Sequence, residues 1–204
     1  MSPNAAFDLA ALDIAGTTVL EGGSVYRVLR AVVEDRVGAS VPDAVAERWT
    51  GTSKREAVSG MLGEISDPNP GGRQDRDRAV AKTYSALQSG LLAAYRDTPP
   101  SLVPGADEAV RRLRAEGVRV VLQTGYDREI AETVLAAAGW RVGRDIDGLV
   151  TSDEVRASRP APFLVFHAME LVGAQDVRRV IVAGDTRNDV LAGPTPEPVW
   201  WLGC

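Results

Sequence analysis

The sequence predicts an α/β fold: a core built on a parallel sheet, with an all-helical cap inserted after its first strand. Three observations predict it. Short apolar runs, FDLAALD at 7–13, VRVVLQT at 118–124 and VRRVIVAGD at 177–185, read as buried strands. Helical patterns alternate with the strands of the second half. Residues 21–98 carry helical spacing and no strand signal. The boundaries that follow are 1–20 with 99–204 for the core and 21–98 for the cap.

Each element has its own signal. At 24–38, apolar pairs alternate with charges at helical spacing, and Ser24 is placed as the N-cap. Further helices are predicted at 42–49, 54–65 and 76–95. Ser53, with Glu56 three residues on, reads as a capping box. Pro68, Pro70, Gly71 and Gly72 separate the last two helices. DTPPSLVPG at 97–105 reads as a linker, with Pro104 in the first turn of a helix that runs to Glu116. Gly117 stops that helix before the 118–124 strand. A helix at 127–138 and a strand at 147–151 follow. Pro160 opens a helix through Leu171, in which His167 reads as a packing residue, and a short helix starts at Asn188. The ending, PTPEPVWWLGC, has three prolines in five residues, a spacing that no helix tolerates. Its 199–202 stretch reads as one short edge strand, and the C-terminal part of the core as truncated. That leaves the strand ending at Asp185 near an unprotected edge, and exposed Trp200 and Trp201 as surface for association.

Composition narrows the function. A chain of 204 residues suits one core plus a small inserted module. A net charge of −5 argues against nucleic acid, whose phosphates call for a basic face. Cys204 is the one cysteine, so neither an intrachain disulfide nor a cysteine metal cluster is expected. MSPNAAFD lacks a signal-peptide pattern, and no run is long enough to cross a membrane. A cytoplasmic protein without membrane or nucleic-acid partners is the expectation.

Three polar turns follow strand ends: Asp13 with Gly16, Thr17 and Thr18; Thr124-Gly125; and Gly184-Asp185-Thr186. In an open parallel sheet, ligands bind beyond the carboxyl ends of the strands. Neighbouring strands would crowd Asp13, Asp185 and Asp189 together, and such carboxylates need a hard cation between them. Magnesium suits oxygen ligands and leaves room for a phosphate. Arg159 adds positive charge, and Thr124 with nearby backbone N–H groups can bind phosphate oxygens. Taken singly, Asp13 is a turn former, GDTRND a capped helix start and Arg159 a surface cation. Their order and spacing make the set.

Asp13-Ile14-Ala15-Gly16-Thr17, Thr124, Arg159 and Gly184-Asp185-Thr186-Arg187-Asn188-Asp189 resemble the four motifs of the haloacid dehalogenase superfamily. The resemblance runs from residue 7 to about 193 and implies a Rossmann-like core with a helical cap. It implies an aspartate nucleophile and magnesium. The closer resemblance is to phosphonoacetaldehyde hydrolase and the phosphonatase-like hydrolases, carried by DIAGTTV, by TGY at 124–126, by Arg159 and by SRPAPFLVFHAMEL at 158–171. In ordinary members, an aspartate two residues after the nucleophile protonates a leaving alcohol. Here Ala15 stands there, which suits cleavage of a carbon–phosphorus bond, where no alkoxide leaves. The carbon leaving group would instead be stabilised by a lysine imine. Gly51-Thr52-Ser53-Lys54 matches the family's G-x-x-K, and Lys54 and Lys82 are the chain's lysines.

The resemblance then implies roles. Asp13, Lys54, Arg159 and Thr124 would be catalytic. Thr17, Gly125 and Arg159 would bind substrate. Asp13, the Ala15 carbonyl, Asp185 and Asp189 would hold magnesium. A small phosphonate or phosphate is the substrate expected, and the apolar 24–38 helix allows a homodimer through the cap. The chain departs from the hydrolases at Ala57, where they have a histidine, at Thr50, where they have a methionine, and at Gly23, where they have a cysteine. Two other readings stand beside C–P cleavage: a phosphate-monoester phosphatase of the same superfamily, and a truncated relative without turnover.

Overall fold

The computed structural model describes residues 6–65 and 72–193. In chain order its elements are β1 (Leu9–Leu12), β2 (Val19–Leu20), α1 (Ser24–Val37), α2 (Asp43–Arg48), α3 (Lys54–Ile65), α4 (Arg73–Asp97), β3 (Ser101–Leu102), α5 (Ala106–Ala115), β4 (Arg119–Gln123), α6 (Arg128–Ala138), β5 (Gly148–Val150), α7 (Phe163–Val172), β6 (Val180–Ala183) and α8 (Arg187–Ala192).

β1 lies inside a parallel four-stranded sheet of order β5–β4–β1–β6. Leu9, Ala10 and Ala11 are fully buried, because both faces of the sheet are covered. Ala10, Val120 and Leu122 pack with Val110, Ile130 and Val134 of α5 and α6 on one face. Leu9, Ala11 and Val121 pack with Leu164, Val165 and Ala168 of α7 on the other. The register pairs Leu12 with both Leu122 and Ala183. The turns after β1, β4 and β6 therefore leave the sheet at one level.

Helices α1 to α4 lie between β2 and β3. They share a core in which Val25, Leu29 and Val33 of α1 meet Met61 of α3 and Leu87, Leu91 and Tyr95 of α4. The 97–105 linker contains a strand that the sequence did not announce. β3 pairs antiparallel with β2, Val19 opposite Leu102, and the Val103 amide donates to the Thr18 carbonyl at 3.0 Å. The two chain crossings into the helical block are thus tied together. Two-residue strands are too short to show a period of two.

Several starts differ from the sequence reading. Gly23, not Ser24, caps α1, and the Glu21 carboxylate accepts from the Gly23 and Val25 amides at 3.1 and 2.9 Å. Gly105 caps α5, so Pro104 lies outside it. α7 begins at Phe163 after Pro162, three residues later than Pro160. Residues 177–179 form a 3₁₀ turn before β6 rather than strand. His167 is half-exposed, with Nδ1 3.3 Å from the Glu170 carboxylate, and is not a core residue. β6 is an end strand of the sheet among the described residues. The 199–202 strand and Trp200 and Trp201 lie outside the described residues. No described helix is long and apolar enough to cross a membrane.

Candidate active site

Asp13 follows β1, and its amide continues the ladder by donating to the Ala183 carbonyl at 2.9 Å. The next turn closes on the Ile14 carbonyl, which accepts from the Thr18 and Val19 amides at 3.0 and 2.8 Å. The Thr18 hydroxyl donates to the Asp13 carbonyl at 2.8 Å. Gly16, at φ 87°, is required twice over. Its backbone lies in the left-handed region, and a Cβ there would stand 2.2 Å from Asp185 Oδ2. Asp185 therefore rests against the Asp13 turn, where the Thr17 hydroxyl donates to its Oδ1 at 3.5 Å.

Asp189 arrives from α8. Thr186 is the N-cap and accepts from the Asp189 amide, while the Asp189 carboxylate accepts from the Thr186 amide at 3.1 Å and from its hydroxyl. GDTRND is thus a capped helix start and a carboxylate source at once. The box holds Oδ2 of Asp189, and its Oδ1 faces Arg159. Arg159, 3% exposed, pairs with Asp13 Oδ1 at 2.7 Å and with Asp189 Oδ1. Buried charges are tolerated when paired. Oxygens of Asp13, Asp185 and Asp189 all lie within 4.8 Å of one another. Burial, then the neighbouring Asp13 charge, raises the Asp185 carboxyl above its ordinary value.

Thr124 and Gly125 are buried at the end of β4. The Thr124 hydroxyl accepts from the Tyr126 amide at 3.1 Å. Gly125 meets the helical block directly: its carbonyl accepts from the Lys54 amide at 3.0 Å, and a Cβ would stand 2.4 Å from the Thr52 carbonyl oxygen. Asn188 adds a second tie, donating to the Thr50 carbonyl at 2.6 Å. These bonds seat the 50–54 segment on the turns of the sheet.

Lys54 opens α3 and is only 6% exposed. Its Nζ donates to the Thr52 carbonyl at 3.3 Å and lies 5.4 and 5.6 Å from the ring centres of Tyr26 and Tyr126. Burial, and next the Arg159 charge, push its ammonium down from 10.5 to about 8, while Asp13, Glu21 and Asp185 pull the other way. Sequence reasoning had no signal for Tyr26, one turn into α1, whose hydroxyl accepts from the Gly51 amide at 3.1 Å. Tyr126 was legible as the third residue of TGY. Its hydroxyl pairs with that of Tyr95 at 2.9 Å.

Asp13, Arg159, Asp185 and Asp189 are therefore one cluster, with Thr17 and the Ala15 turn beside it. Lys54, in the helical block, feels the charges of Asp13, Asp185 and Arg159. Ala57 is buried in α3, and the Thr50 carbonyl accepts from Asn188, next to Asp189. Such a set can neutralise an anion, hold a hard cation and offer an amine of lowered basicity.

A family model described as haloacid dehalogenase-like hydrolase matches residues 7–194. A phosphonoacetaldehyde hydrolase of Bacillus cereus (strain ATCC 14579) is 38% identical over 199 residues, 94% of this chain and 73% of that protein. One of Parabacteroides distasonis is 34% identical over 127 residues, 62% of this chain and 47% of that protein. The matched stretch spans about half the length, or less, of several curated relatives. Among solved structures, a phosphonoacetaldehyde hydrolase-like protein from Oleispira antarctica shares the fold with TM-score 0.77 and 23% identity, over 93% of this chain and 69% of that one. CbbY from Rhodobacter sphaeroides, solved with phosphate, shares it with TM-score 0.74 and 16% identity, over 92% and 81%. With its length matched almost throughout, this chain belongs to the haloacid dehalogenase-like hydrolases and is a relative of their phosphonoacetaldehyde hydrolases.

Proposed function

We propose that the chain is a magnesium-dependent hydrolase that cleaves the C–P bond of phosphonoacetaldehyde or a related 2-oxoalkylphosphonate. One observation carries the reading: a buried lysine amine of lowered basicity lies within the field of Asp13, Asp185 and Arg159, while Ala15 leaves no acid for an alcohol leaving group. The all-oxygen set of Asp13, Asp185 and Asp189 fits a hard divalent cation. The Ala15 carbonyl completes the proposed ligands. Magnesium held there supplies positive charge that lets an anionic nucleophile meet an anionic phosphonate.

The protein's own residues do the rest. The Lys54 amine condenses with the substrate carbonyl, expelling water and leaving a protonated imine. An Asp13 carboxylate oxygen attacks phosphorus. The C–P bond breaks, and its electron pair moves through carbon to the Lys54 nitrogen, giving an enamine. Arg159, Thr17, Thr124 and the Gly125 backbone neutralise the phosphoryl oxygens. Water cleaves the aspartyl-phosphate and regenerates Asp13. Protonation at carbon and hydrolysis of the imine free Lys54 and the aldehyde. The closed seat of the 50–54 segment keeps bulk water from the amine.

The pH dependence follows from Lys54. With a value near 8, about a tenth of the amine is neutral at pH 7. The value of kcat/KM is expected to rise about tenfold per pH unit up to about 8 and then level. A flat profile across that range contradicts the role. Stability moves the same way. The folded protein loses this proton before the unfolded chain does, so Lys54 opposes folding below about 8, and the cost fades as pH approaches 10.5.

Ester hydrolysis is the rival activity, and parallel phosphate-release assays on phosphonoacetaldehyde and p-nitrophenyl phosphate decide between them. The phosphonate is expected to win by about a hundredfold in kcat/KM. Ala15→Asp places a carboxyl where a leaving alcohol would need one. It is expected to raise turnover of unactivated esters about tenfold or more and to leave C–P cleavage unimproved. Faster ester than phosphonate turnover by the wild type would overturn the proposal.

A further inference from the structure

Glu56 does something the capping-box pattern does not foresee. The Ser53 hydroxyl accepts from the Glu56 amide at 3.1 Å, which is half of the box. The Glu56 carboxylate has a partner beyond its own helix. Its Oε1 crosses to the core and accepts from the Ser158 amide at 3.2 Å. Ser158 is 4% exposed and immediately precedes Arg159, which pairs with Asp13 and Asp189. A buried amide needs a partner, and a charged acceptor supplied by another segment is a strong one.

Glu56 shares the first turn of α3 with Lys54, whose own amide is bonded to Gly125. Lifting that turn removes the amine from the acidic cluster and, in the same motion, strips the acceptor from the backbone that carries Arg159. The ties through Thr50 and Gly125 hold the segment down without reaching Arg159. We propose that Glu56 is a positioning residue that sets Lys54 and Arg159 in place together, by latching the start of α3 to the Ser158 backbone when the helical block is seated. The kinetic part of this inference rests on the C–P reading, and the latch itself does not.

The test uses Glu56→Ala, Glu56→Gln and Glu56→Asp in the full chain. A glutamine keeps an acceptor oxygen at the same reach, and an aspartate falls short of it. Amide hydrogen exchange at Ser158 is expected to be slow in wild type and Glu56→Gln and faster by about tenfold or more in Glu56→Ala and Glu56→Asp. With phosphonoacetaldehyde, kcat is expected to fall about tenfold or more in the Ala and Asp variants, with a smaller change in KM. Glu56→Gln is expected to stay within about threefold of wild type. Should Glu56→Ala not fold, Glu56→Asp carries the comparison. Unchanged Ser158 exchange in the shortened variants overturns the latch, as does a lowered melting temperature with kcat intact. If the wild type cleaves no oxoalkylphosphonate, the C–P reading fails while the exchange result still decides the latch.

Discussion

Lys54→Arg is expected to reduce release of phosphate from phosphonoacetaldehyde by about a thousandfold or more. Arginine keeps the positive charge and much of the length, so the field at the acidic cluster is largely preserved. A guanidinium remains protonated throughout the working range and forms no imine with an aldehyde. The substitution therefore separates covalent catalysis from electrostatics. Tyr26 and Tyr126 still flank the cation, and stacking on aromatic faces suits arginine. The variant is expected to fold, to bind inorganic phosphate and to show no rise in activity through pH 8, because the group titrating there is gone. Activity within about tenfold of wild type would remove the imine from the account.

The second large effect is Asp13→Asn, which is expected to lower turnover by about a thousandfold or more while leaving the folded protein no less stable without metal. The activity loss follows from replacing a nucleophile. The stability result follows from the charges. Arg159 keeps Asp189, and an asparagine oxygen can still accept from its guanidinium. Asp185 loses the neighbour whose charge helps raise its carboxyl, so the repulsion within the cluster falls. Melting curves with and without magnesium chloride check this. At about 100 times its Kd, a ligand specific for the folded state adds about 2.7 kcal/mol, or several degrees for a chain of this size. Wild type is expected to show that rise and Asp13→Asn only part of it. Equal magnesium responses in the two proteins would place the cation elsewhere.

Much of the sheet was legible because parallel strands covered on both faces read as continuous apolar runs, as LAAL and VIVA do here. The convergence of Asp13, Asp185 and Asp189 followed from the same reading. Aligned parallel strands bring the turns at their carboxyl ends together, and the turns after β1 and β6 carry the three acids. The β2–β3 ribbon was not legible, since residues so few show no period and their pairing spans the whole helical block. Helix starts shifted by a residue or a few where a neighbouring residue took the cap, as Gly23 does at α1 and Gly105 at α5. The start of α3 was legible, but not the distant partner of its Glu56 carboxylate, the Ser158 amide. The seat of the helical block was likewise hidden. Asp127 caps α6, as a residue before a helix should, yet it also accepts from Tyr84 and, at 2.7 Å, from Gln88 on α4. Such contacts depend on where one body of helices rests on another, which no spacing along the chain encodes.

Borohydride trapping tests the central claim most directly. Wild-type protein is incubated with magnesium and phosphonoacetaldehyde, reduced with sodium borohydride and mapped by peptide mass spectrometry. The account predicts loss of activity together with an N-ethyl group on Lys54, the reduced imine of the acetaldehyde left after C–P cleavage, and none on Lys82. Continued phosphate release after reduction, with Lys54 unmodified, would contradict it.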